Sequence, residues 1–241
     1  MPTLNLRAVR KSLGWTQQRA AERLGVSQAL VSMVENGERS LTPEILDRLG
    51  AYYEVDPTNL PLREPVAMTA ADFAREIGSL GYPGFKYLSE GKPYWNPAQF
   101  LILALREDDL ECRLSEGLPW LVLRYGEMDW AWALREAKVL DLQNRFGFVV
   151  MLACELAEKY RVGSLLHLRQ LESQIERSRL VRQSTFCNER MTQAERKWLQ
   201  TNSSPGAEHW NLLSNLKVEH LKHVFPFPGF AFPQSQGNQG S

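Results

Sequence analysis

The chain has 241 residues, 44% hydrophobic, 23% charged and 10% aromatic, the profile of a globular chain that buries a sizeable core in one or two domains. Lys plus Arg and Asp plus Glu number 28 each, so the net charge is zero, which excludes a polybasic coating protein but not a local basic face. The longest apolar stretch, Phe146 to Cys154, is nine residues against the ~18 that a membrane span needs; no signal peptide is expected, and three cysteines without a CxxC pair suit a reducing cytoplasm without disulfides or a zinc cluster.

Residues 4–60 read as a run of short helices. Leu4, Leu6, Val9 and Leu13 recur at helical spacing, and Gly14 stops the run. Thr16 caps a second helix through Ala20, Ala21 and Leu24, which Gly25 ends. Ser27 caps a third, with Leu30, Val31 and Val34 as its stripe and Gly37 at its end. Thr42-Pro43-Glu44 opens a fourth, and Asp56-Pro57 a final turn. Residues 61–70 hold two prolines and no period, and read as a linker.

Residues 71–224 are expected to be mostly helical. Asn96-Pro97 starts a helix before FLILALRE, Asp129 caps WAWALREAKVL, and Leu142 to Tyr160 is long and apolar-striped. Leu165 to Val181 carries leucine or isoleucine at helical intervals, and Thr192 with Glu195 forms a capping box. No stretch alternates long enough for a convincing strand. Residues 225–241 change character: four phenylalanines (Phe225, Phe227, Phe230, Phe232) alternate with prolines, then only polar and glycine residues follow. Proline holds such a segment extended, which suits docking on its own domain or insertion into a partner.

Charge is uneven. Residues 1–34 carry five basic groups (Arg7, Arg10, Lys11, Arg19, Arg23) against one acid (Glu22), a candidate phosphate-facing surface. The informative segment is TQQRAAERLGVSQALVSMVENGERSLTPEIL, residues 16–46: two short helices around a tight turn at Gly25, small Ala20 and Ala21 where helices meet closely, and Val26, Val31 and Val34 between them. With Thr16-Gln17, Ala21, Leu24-Gly25-Val26-Ser27, Val34-Glu35-Asn36-Gly37 and Pro43, it resembles the Cro-repressor (XRE) family of helix-turn-helix DNA-binding domains over about residues 4–60.

The resemblance implies a five-helix lambda-repressor-like domain at residues 1–60; the residue pattern adds a linker at 61–70, a helical dimerisation or partner-binding domain at 71–224 and an extended tail at 225–241, so an all-α chain is expected. The resemblance also implies base contacts from Gln17, Ser27, Gln28, Ala29, Ser32 and Met33, and phosphate contacts from Arg10, Lys11, Arg19, Asn36 and Arg39. The chemistry agrees: a helix N-terminus offers free amides to a phosphate oxygen, a glutamine amide pairs with an adenine edge, and an alanine methyl meets a thymine methyl. Met33 stands where a polar or basic residue is commoner in the family. Members usually bind inverted repeats as dimers, so a homodimer on double-stranded DNA is expected.

No catalytic constellation, cofactor or metal site is expected. His220 and His223 form only an HxxH pair, and Glu107-Asp108-Asp109 with Glu111 falls where one helix ends and the next begins. The expected function is a cytoplasmic, sequence-specific transcriptional regulator, a repressor, with the antitoxin of a toxin–antitoxin operon as the favoured form. Its second domain and tail (Phe225, Phe227, Phe230, Phe232) would neutralise a cognate toxin protein. The alternative is a regulator whose helical domain senses a small ligand or peptide.

Overall fold

The computed structural model describes residues 5–89, 91–162 and 165–222. Leu4, His223 and the four tail phenylalanines lie outside the described residues. The chain is all-α. The amino-terminal part comprises α1 (Leu6–Ser12), α2 (Gln17–Leu24), α3 (Gln28–Glu35), α4 (Pro43–Gly50) and a 3-10 turn at Pro57–Asn59.

The starts follow from local chemistry. Asn5, Thr16 and Ser27 each accept the amide three residues on, satisfying a first-turn donor that the helix cannot use. Gly25 then takes the left-handed conformation (φ 63°) that closes α2. Helix α3 stops at Glu35 with Asn36 as its cap, and Gly37 (φ 78°) turns the chain one residue later. One small core holds this part together: Leu6, Val9, Ala20, Ala21, Leu24, Val31, Ile45 and Leu49 are all buried.

The larger part has its own core, from Phe73 to Leu221. It contains α5 (Ala70–Ser79), a 3-10 helix at Pro83–Leu88, α6 (Pro97–Arg106), α7 (Cys112–Arg124), α8 (Trp130–Val139), α9 (Gln143–Tyr160), α10 (Leu165–Glu176), α11 (Gln193–Asn202) and α12 (Pro205–His209). Helix α9 is the axis: nearly every residue from Gln143 to Ala157 is buried, and α7, α8, α10 and α12 pack around it. Trp210 lies directly over Gly147, where a Cβ would fall 2.3 Å from the indole ring. Only glycine allows that approach.

The caps at Asn96, Asp129 and Thr192 form as expected, the last as a full capping box with Glu195. Helix α10 is shorter than its leucine spacing predicts, ending at Glu176 rather than Val181. Tertiary bonds take over there: the Leu180 amide donates to Asn144 Oδ1, and Asn144 Nδ2 donates back to the Leu180 carbonyl. Two dipeptide strands, β1 (Ser184–Thr185) and β2 (Leu212–Leu213), pair in parallel. They are too short to leave an alternation in sequence.

Residues 61–69 form no helix, yet they are tied to both parts. The Arg63 amide donates to Gln99 Oε1 (2.9 Å), and Gln99 Nε2 donates back to the Arg63 carbonyl. The Arg63 guanidinium pairs with Asp47 of α4 (2.7 Å) and lies 4.0 Å from the Tyr94 ring centroid. Asn96 Nδ2 donates to the carbonyls of Thr58 and Leu60, and Lys92 Nζ donates to the Gly50 carbonyl.

Candidate nucleic-acid interface

Helices α2 and α3 are joined by a two-residue turn, Gly25–Val26, before the Ser27 cap. Arg48 of α4 braces that turn by donating to the Leu24 carbonyl (2.8 Å) and the Gly25 carbonyl (3.3 Å). Val31 is buried against the core, so the opposite face of α3 is turned out. Ser27, Gln28 and Ala29 are exposed, Ser32 is half-buried, and Met33 is 39% exposed. These five expected base-contact residues therefore lie on one helix start and its outer face. The first-turn amides of Gln28 and Ala29 have no carbonyl to bond within the helix, so they add a partial positive charge there.

Gln17, at the start of α2, is half-buried, and its Nε2 donates to Glu35 Oε2 (3.0 Å). Glu35, absent from the expected set of site residues, is the centre of a network that includes three of them, Arg10, Gln17 and Asn36. Arg10 grips it with two bonds, Nε to Oε1 (2.5 Å) and Nη2 to Oε2 (3.0 Å). The Arg10 Nη1 also donates to the Trp15 carbonyl (2.8 Å). Arg7 approaches Glu35 Oε2 at 3.4 Å and donates to Asn36 Oδ1 (2.8 Å).

The Glu35 side chain has no exposed surface. The Arg10 hydrogen bonds, with help from Gln17 and Arg7 and against the cost of burial, hold its carboxyl down at about 2. One carboxylate thus fixes α1, the start of α2 and the end of α3 in one arrangement. A signal for it exists in the sequence: an acid in the last turn of a helix opposes the macrodipole, so it needs cations nearby.

The expected phosphate contacts fall into two groups. Lys11, Arg19 and Arg39 are exposed and form no ion pair among the described residues. Arg10 and Asn36 have their side chains engaged inside the domain. The structure brings Gln17, Arg10 and Asn36 together around Glu35, and sets Ser27, Gln28, Ala29, Ser32 and Met33 apart on the outer face of α3.

Elsewhere, no group of three or more His, Cys, Asp or Glu side chains among the described residues could hold a metal ion. The acidic run at Glu107–Glu111 is held by the segment after β1: Asp109 accepts from the Arg190 amide and pairs with its guanidinium (both 2.9 Å). Cys154 is buried among apolar side chains, which pushes its thiol up to about 12. No described helix is long and apolar enough to cross a membrane.

Residues 6–60, under a quarter of the chain, match the helix-turn-helix family. No curated protein and no solved structure matches the chain. The match spans α1 to the 3-10 turn, the same residues that share the small core and present α3 outward. Residues 6–60 are an XRE-type helix-turn-helix domain, which supports a DNA-binding role in transcription regulation for the chain that carries it.

Proposed function

We propose that the protein is a cytoplasmic repressor that binds an inverted-repeat operator as a homodimer, with α3 in the major groove. The exposed face of α3, held in place by Glu35, carries this reading. Gln28 reads an adenine edge, Ala29 and Met33 meet thymine methyls, and Ser27 and Ser32 bond the backbone or a base. Lys11, Arg19 and Arg39 hold phosphates. Gln17, Arg10 and Asn36 act mainly by keeping α1, α2 and α3 in register. The division into residues 1–60, a linker at 61–70 and a partner domain at 71–224 belongs to the same proposal. Selection of duplexes from a random pool by the full chain tests it. Two half-sites about 34 Å apart are the expected product, and a pool without enrichment overturns it.

Within this reading we favour an antitoxin that represses its own operon and neutralises a toxin through residues 71–241. A single helix-turn-helix joined to a large helical body and a Phe/Pro-rich end supports it. Co-purification from the native host tests it. A stoichiometric partner that arrests growth alone, and no longer does so with this chain, sustains the antitoxin role; the lack of such a partner removes it.

A specific observation favours a second reading, a ligand-sensing regulator. Two clefts of about 520 and 660 Å³ share Arg106 and Asp108, and the larger is walled by Pro65, Val66 and Ala67 of the linker. A ligand in the first cleft would touch side chains that also border the segment leading to the helix-turn-helix.

A further inference from the structure

The smaller cleft lies between the end of α6, the junction of α8 and α9, and residues 180–189. Its volume of about 520 Å³ is in the range of small-molecule sites. At its wall stands Arg145, only 8% exposed. The Arg145 Nε donates to the Thr185 carbonyl (3.0 Å), and its Nη1 donates to the carbonyls of Leu105 (2.9 Å) and Glu107 (3.1 Å). Nη2 has no hydrogen bond among the described residues. It forms ion pairs with Asp108 Oδ1 and Glu189 Oε1, which both line the cleft, at 3.6 Å, longer than a direct hydrogen bond.

Arg145 Nη2 therefore meets the cleft as a charged donor in two loose ion pairs, with room for a ligand oxygen to bond it directly. The lining is also balanced in charge. Arg106 and Arg182 join Arg145, while Asp141 joins Asp108 and Glu189. A simple anion would meet three carboxylates, and a simple cation three arginines. A molecule carrying both charges satisfies both sets. Leu140, Leu142 and Leu180 add an apolar wall for the rest of it.

We propose that this cleft binds a small zwitterion of amino-acid or dipeptide size. Its carboxylate sits on Arg145 Nη2 with Arg182, and its ammonium group lies toward Asp108 and Asp141. The proposal deepens the ligand-sensing reading and rests on it only for its regulatory meaning.

Thermal unfolding of the full chain with each common α-amino acid, and with glycylglycine, tests the site. Acetate and methylammonium serve as single-charge controls. The expected result is a saturable rise in Tm of about 3 °C near tenfold saturation for at least one zwitterion. Neither single-charge control reproduces it. The apparent affinity falls tenfold or more in Arg182→Ala and in Asp108→Asn. Asp108 pairs with Arg145, so each variant's shift is read against its own unliganded Tm. No shift with any zwitterion, a shift matched by acetate alone, or a shift unchanged in both variants overturns the proposal. Operator affinity with and without the bound compound tests the sensor role separately: binding that leaves operator affinity unchanged keeps the site and removes the regulation.

Discussion

Arg10 and Glu35 lie 25 residues apart and meet through two bonds, 2.5 and 3.0 Å, with the carboxylate fully enclosed. This pair ties the end of α3, the helix that carries Gln28 and Met33, to α1. Removing one partner of a buried ion pair strands the other charge and costs about 3 kcal/mol or more. Glu35→Ala is therefore expected to open the amino-terminal domain while leaving the separate core around α9 intact. Hydrogen exchange checks this: amides of α1 to α3 lose protection and those of α9 keep theirs.

The same carboxyl makes the domain acid-sensitive. Its pKa is lowered from 4.5 to about 2 in the folded chain, chiefly by Arg10, so folding favours the ionised form. That stabilisation is present above pH ~4.5 and is lost as pH falls toward 2, on the order of 2 kcal/mol after solvent screening. Thermal unfolding between pH 6 and 2 should show this loss, and Glu35→Gln should flatten it. An unchanged profile in the variant would assign the acid loss to other groups.

Readout and phosphate contact should separate cleanly. Gln28→Ala is expected to weaken operator binding by roughly 1–3 kcal/mol and to relax preference at one base pair. Lys11→Ala should weaken binding to all duplexes and lower the salt slope by about one. Fluorescence anisotropy on operator and scrambled duplexes, at several salt concentrations, distinguishes the two. Equal losses by Gln28→Ala on both duplexes would sink its assignment as a reader.

The linker is predicted to be held chiefly by Gln99. Gln99→Ala removes both reciprocal bonds to the Arg63 backbone and leaves the guanidinium held by Asp47 and by the Tyr94 carbonyl and ring. Two lost bonds of about 1 kcal/mol each raise local opening roughly tenfold or more. Tryptic cleavage after Arg63 should accelerate by that factor. A cleavage rate equal to the parent's would show that the clasp does not limit opening.

Gly147→Ala is expected to destabilise the helical body by about 1–3 kcal/mol, because the added methyl meets the Trp210 ring on an otherwise closed surface. Urea denaturation checks it, and a second change that shrinks Trp210 should recover part of the loss. No recovery would point to a backbone cause instead.

The sequence by itself determined the amino-terminal domain. Its caps at Thr16 and Ser27, the left-handed glycine at position 25 and the alanines at 20 and 21 are local demands of short helices packed closely, so their pattern is readable residue by residue. The helix starts at Asn96, Asp129 and Thr192 were legible for the same reason. Helix α7 carries Pro119 in its interior and no side-chain cap at Glu111, so no local signal marks its bounds. The early end of α10 depends on Asn144, 36 residues away from Leu180. Three further features are long-range in the same way: the enclosure of Glu35 by Arg7, Arg10 and Gln17, the clasp of Gln99 on Arg63, and the cleft at Arg145. Each joins groups distant in the chain, whose meeting depends on how whole helices pack. Only the tertiary structure decided them.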